Sequence, residues 1–127
     1  MKFPDKLDIL AVHARLIAET GGSAGMRDRG LLESALGAAE NRFNYEHADL
    51  VKCAATYAYH LTQAHAFVDG NKRLAAAVTE TFLECNGREL MMNDDEVVRL
   101  FLNIAAGILT RDDVEELLRR NIREGNG

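Results

Sequence analysis

Proline is almost missing from this chain, with Pro4 the single instance in 127 residues. There is no low-complexity tract, internal repeat or sustained heptad register either, so the sequence offers neither a linker nor a coiled coil. Cysteine is nearly as scarce. Cys53 and Cys85 lie far apart, form no C-x-x-C pair and sit in apolar helical contexts, so they read as core thiols of a protein kept in a reducing compartment. Long hydrophobic runs are absent. The longest apolar stretches fall well short of the roughly 20 residues a membrane-spanning helix needs. The opening Met1-Lys2-Phe3-Pro4-Asp5 has no signal-peptide core before Asp8 and Arg15 interrupt it. The expected location is therefore the cytoplasm, with no membrane association. An excess of positive charge is lacking as well: 15 basic against 20 acidic residues leave a net charge of -5. Direct nucleic-acid binding has no global electrostatic basis and is not expected.

What is present suits an ordinary globular protein. Hydrophobic residues make up 47% of the chain and charged residues 28%. The length suffices for one domain, residues 1–127, that buries a core without disulfides or a structural metal.

Periodicity predicts an all-α, compact bundle of about six helices. Asp5 caps a first helix carrying Leu7, Leu10, Ala14 and Ile17, which stops at Gly21-Gly22. An exposed polar loop follows. Asp28 then opens a short second helix through Leu31, Leu32, Ala35 and Leu36. The stretch Asn41 to Glu46 alternates polar and aromatic letters, which suits a short extended segment. Asp49 begins a long helix through Val51, Ala54, Ala58, Leu61 and Ala64, ending at His65. After a break at Val68-Asp69-Gly70, a fourth helix runs through Leu74, Val78 and Phe82 to Asn86-Gly87. Asn93 and Glu96 form a capping box for a fifth, and Thr110 opens a sixth.

The chemistry concentrates in His65-Ala66-Phe67-Val68-Asp69-Gly70-Asn71-Lys72-Arg73, between the third and fourth helices. A helix start exposes N–H groups without intrahelical partners and carries partial positive charge, so it seats phosphate oxygens. Lys72 and Arg73 fall in that first turn, where the dipole makes each cation unfavourable by roughly 0.3–1 kcal/mol. A bound anion reverses the sign. The competing explanation is that Asp69 caps the helix and pairs with Lys72 or Arg73. His65 adds a base near neutrality, and Phe67 an anchor for the loop.

Other candidates are weaker. His60 and His65 are not at the i, i+4 spacing of a helical zinc pair, and no third ligand is near. His13 and His47 read as surface or helix-face residues. Asp69-Gly70 lacks the preceding ligands of a calcium loop, and Asn93-Asp94-Asp95-Glu96 is explained by capping.

HAFVDGNKR resembles the signature of the Fic/Doc family, His-x-Phe-x-(Asp/Glu)-Gly-Asn-(Gly/Lys)-Arg, and specifically its Doc branch. Gly21-Gly22, Gly25-Met26-Arg27-Asp28, Leu31 to Leu36, Phe82-Leu83 and Asn86-Gly87 look like that branch in the same order. The resemblance implies that His65 accepts the proton of a target hydroxyl, that Asp69 holds Mg²⁺, and that Gly70, Asn71, Lys72 and Arg73 bind nucleotide phosphates of ATP. Lys72 stands where the AMP-transferring branch has a second Gly, and Ala76 where that branch has a second Arg. Both favour phosphoryl transfer to a Ser or Thr, with elongation factor Tu as the implied target. Ala77 replaces an Asn of the Doc pattern, so AMP transfer stays open, as does a binding module without turnover. Arg42, Phe43, Asn44 and Tyr45 resemble the family's target-docking flap, with an ordinary packed loop as the alternative. No Ser or Thr between Thr20 and Thr110 has Glu four residues on, so the family's inhibitory Ser/Thr-x-x-x-Glu helix is not found there. The resemblance instead implies a separate antitoxin of the Phd type.

Overall fold

A computed structural model describes residues 1–125. Six helices form the body, α1 (Lys6–Thr20), α2 (Arg29–Glu46), α3 (Leu50–Ala64), α4 (Asn71–Cys85), α5 (Asp94–Ala105) and α6 (Arg111–Arg120), the number the periodicity predicts. Two three-residue strands, β1 (Arg88–Leu90) and β2 (Ile122–Glu124), pair antiparallel with Arg88 opposite Glu124 and Leu90 opposite Ile122. Neither strand has enough residues to show a period, and each forms only where the other supplies its partner. Among the described residues no helix is long and apolar enough to cross a membrane.

Helix α3 is the axis of the bundle, with α2, α4, α5 and α6 packed around it. Its run Cys53 to Ala58 is buried on every side, together with Leu61 and Thr62. Alanines at 54, 55 and 58 present so little side chain that neighbouring backbones come close, and Leu32, Leu74, Phe82, Leu83, Ile104 and Leu118 fill the surrounding space. Tyr57 meets Phe82 edge-on at 5.0 Å, which ties α3 to α4. The Thr56 and Thr62 hydroxyls donate to main-chain oxygens one turn back, so the polar atoms in this apolar axis are satisfied.

Four expectations need correction. Of the two cysteines read as core thiols only Cys53 is buried, while Cys85 is exposed, and α2, expected to be short, runs for 18 residues. The buried stripe of α1 is Ile9, His13 and Ile17, while Leu7 is 75% exposed. Counting His13 as polar shifts the apparent face, because the true stripe repeats every four residues through that histidine. The segment Asn41 to Glu46 is not extended but forms the last turns of α2. Its six-residue alternation is too short to oppose the helix. Arg42 continues the inward face of Ala35 and Ala39, donating through Nη1 to the Thr56 hydroxyl at 2.9 Å, and Glu46 one turn on lies 3.5 Å from its Nε. Phe43 meets Phe3 edge-on, and Tyr45 is 82% exposed, so the aromatic letters do not mark one buried sheet face.

Candidate active site

Helix α3 stops because His65 turns into the left-handed region at φ 48, ψ 43. For a non-glycine residue that conformation costs roughly 1–3 kcal/mol and has to be held by its surroundings. The hold follows directly. Ala66 and Phe67 are buried, and the Ala66 carbonyl accepts from the N–H groups of Arg27 and Asp28 at 2.7 and 3.0 Å. Met26 and Phe67 form an isolated antiparallel bridge, and Val68 N–H donates to the Gly25 carbonyl at 2.9 Å. The loop between α1 and α2 is thus exposed, as expected, but laid against the signature segment like an added strand. Gly22 and Gly25 permit the approach: a Cβ at Gly22 would stand 3.4 Å from the Asp69 carboxylate and one at Gly25 3.2 Å from Val68.

Gly70, at φ 82, makes the final turn into α4. Its conformation excludes other residues cheaply placed there, and a Cβ would stand 3.2 Å from Ile17. The side chain of Asn71 closes the loop by bonding both polar main-chain groups of Phe67. One of its two N–H hydrogens is therefore committed to the protein, and the second, with the main-chain N–H, is left to offer a phosphate.

The helix start that results is unlike the others. Asp5, Asp28, Asp49, Asn93 and Thr110 each cap their helix with a side-chain acceptor, whereas α4 follows Gly70 and has no side-chain cap. Lys72 and Arg73 are exposed, and neither makes an ion pair among the described residues. Asp69 neither caps α4 nor pairs with them; its Oδ2 accepts from Ser23 N–H at 2.9 Å. The structural alternative to an anion site is therefore not formed. An open cleft of about 380 Å³ lies here, lined by Ile17, Thr20, Gly22 and the run Asp69 to Arg73.

His65 is exposed, beyond the lining of that cleft, and its ring makes no hydrogen bond among the described residues. An imidazole without a hydrogen-bonded partner among the described residues, six positions before α4 begins, is chemically able to accept a proton. Among the described residues no three His, Cys, Asp or Glu side chains gather as a metal cage. The exposed Asp69 carboxylate, with one oxygen steadied by Ser23, nevertheless fits Mg²⁺, which binds through one or two carboxylates and completes its shell with phosphate oxygens and water.

Outside the cleft, the proposed flap residues divide. Arg42 serves the fold, while Phe43, though it meets Phe3, is exposed like Asn44 and Tyr45 near the end of α2, and none of the four lines the cleft. Burial and the guanidinium groups of Arg111 and Arg42 hold the His60 pKa below its ordinary value, and burial pushes the Cys53 thiol up to about 11, which keeps that thiol protonated and unreactive. Sequence reading missed His13. It is 2% exposed, stacks on Phe67 with ring centroids 3.7 Å apart, and brings Nε2 within 2.8 Å of the Asp69 carbonyl. The available signal was its spacing of four from both Ile9 and Ile17.

A left-handed helix end at His65, an exposed Asp69 carboxylate held by Ser23, and an uncapped helix start whose two cations make no ion pair among the described residues follow one another along the chain on a helical bundle. The chain belongs to the Fic/DOC family, whose profile matches residues 3–83. It is also similar to the protein kinase doc of Escherichia phage P1, being 33% identical over 114 residues that cover 89% of this chain and 90% of that protein.

Proposed function

We propose that this chain is the toxin of a toxin–antitoxin pair and transfers the γ-phosphate of ATP to a Ser or Thr hydroxyl of a cytoplasmic protein, with elongation factor Tu the target that the family resemblance suggests. The observation that carries this reading is the start of α4, uncapped and flanked by the unpaired Lys72 and Arg73. An anion there gains main-chain N–H donors, two side-chain cations and the helix dipole together. In the reaction the target oxygen bonds to the γ-phosphorus, its proton passes to the His65 imidazole, and the bond to the β-phosphate oxygen breaks to leave ADP. Phosphoryl transfer depends chiefly on positioning and on neutralising charge, which is the work assigned to Gly70, Asn71, Lys72 and Arg73. Mg²⁺ at Asp69 supplies further positive charge to the phosphates.

Similarity to a protein named as a kinase, together with Lys72 and Ala76, supports the γ-phosphate over AMP as the group moved. An apolar hollow lined by Ala76, Val97, Val98, Phe101 and Leu102 adjoins Lys72 and Arg73, with Val98 58% and Leu102 50% exposed. It supports an antitoxin of the Phd type that lays an amphipathic helix on this face and covers the cleft. The test is incubation of the protein with Mg²⁺, cell lysate and ATP labelled at either the α or the γ position. Label from γ alone on a protein, lost in His65→Ala, is the expected result. Label from α identifies AMP transfer, and no label with intact nucleotide binding identifies a silent module.

A further inference from the structure

The cleft is built on a peptide whose orientation the signature itself does not fix. Asp69 and Gly70 share one peptide group. Its nitrogen side begins the turn at φ 82 that leaves α4 uncapped, and its carbonyl belongs to the residue whose carboxylate fits the metal. This carbonyl is held from beneath by α1, where His13 Nε2 lies 2.8 Å from the oxygen.

A carbonyl oxygen only accepts, so Nε2 has to carry the hydrogen in that bond. The ring has little freedom to do otherwise. It is buried, it lies nearly parallel to Phe67 at 18° between planes, and a Cβ on Gly70 would stand 3.5 Å from the same Nε2. Three residues of the signature, Phe67, Asp69 and Gly70, therefore meet one histidine on a helix that lies more than fifty positions earlier in the chain.

We infer that His13 is a positioning residue for the phosphate site, its Nε2–H fixing the Asp69–Gly70 peptide so that the carbonyl points into the protein and away from the cleft. The inference rests on the function proposed above. Without the donor, this peptide is free to rotate, and a rotation turns a carbonyl dipole toward the place where phosphate oxygens sit, while carrying Asp69 off its Ser23 contact. The bond thus acts on anion binding through the backbone, and His13 touches neither nucleotide nor target.

The test uses the whole chain and a matched pair of variants. Gln carries an amide nitrogen at nearly the reach of imidazole Nε2, and Met has the same length without a donor. Both lose the stack on Phe67, so their difference isolates the hydrogen bond. Titration calorimetry with Mg·ATP is expected to show His13→Met weaker than wild type by roughly ten- to hundredfold, as for other groups that orient a ligand-bearing residue, with His13→Gln recovering most of the loss. Amide spectra should move at Gly70 and Asn71 in the Met variant and return toward wild type in the Gln variant. Equal affinity in wild type and a folded His13→Met overturns the inference, as does equal weakness of both variants. Should either variant fail to fold, the ¹⁵N spectrum of the wild-type ring decides: hydrogen on Nε2 sustains the inference, and hydrogen on Nδ1 alone overturns it. If the wild type binds no nucleotide, the proposed function fails by itself, and the Gly70 and Asn71 amides still report whether His13 holds the turn.

Discussion

Asn71 grips Phe67 at both ends of its peptide contacts: its Nδ2 donates to the Phe67 carbonyl at 2.8 Å and its Oδ1 accepts from the Phe67 N–H at 3.1 Å. A single side chain thereby replaces the pairing that a strand partner gives, and the segment from Phe67 to Asn71 becomes a closed ring.

Asn71→Ala removes both bonds and leaves two half-buried main-chain groups to find water. The expected loss is about 1–3 kcal/mol in urea denaturation, accompanied by weaker nucleotide binding. Unchanged stability with lost binding would mean that Asn71 acts on the nucleotide directly and not through the loop.

Lys72→Ala and Arg73→Ala are expected to leave the ligand-free protein as stable as wild type or more stable by roughly 0.3–1 kcal/mol each, because each cation opposes the dipole of α4 until an anion arrives. Calorimetry should show Mg·ATP binding strongly reduced in both. A marked loss of ligand-free stability would assign these cations to the fold.

Two glycines separate backbone strain from helix propensity. At Gly70 the φ of 82 and a Cβ contact of 3.2 Å make Gly70→Ala unfavourable by roughly 1 kcal/mol or more. At Gly37, inside α2, a Cβ meets nothing within 4 Å, and Gly37→Ala should stabilise by roughly 0.5–1 kcal/mol. Melting temperatures that fell for both would contradict the open space at Gly37.

His60 provides a pH signature. Burial, then Arg111 and Arg42, lower its pKa in the folded chain relative to the unfolded one, so the unfolded chain binds the extra proton first. Its contribution to stability is present above the unfolded value of about 6.5 and is lost as the pH falls through the folded value. The wild type should therefore lose more stability than His60→Gln between neutral and mildly acidic pH. Parallel curves for the two proteins would rule this out.

The sequence by itself determined five of the helix starts and singled out the segment on which the proposed chemistry rests. Asp5, Asp28, Asp49, Asn93 and Thr110 cap where they were expected to, since a cap is a bond between a residue and the N–H two or three positions later. The run His65 to Arg73 was legible for the same reason: its turn, its glycine and its helix start are neighbours in the chain. Tertiary structure alone decided the rest. Packing of α2 on α3 drew Asn41 to Glu46 into a helix, β1 and β2 found each other across thirty-odd positions, and the loop after α1 was laid along Phe67. Only the folded chain could show His13 beneath Asp69, or Asn71 turned back upon Phe67. The division follows the range of the interactions. Caps and turns are satisfied within a few residues and leave their pattern in the letters, whereas a long-range partner is chosen by whichever surfaces the packed helices bring together.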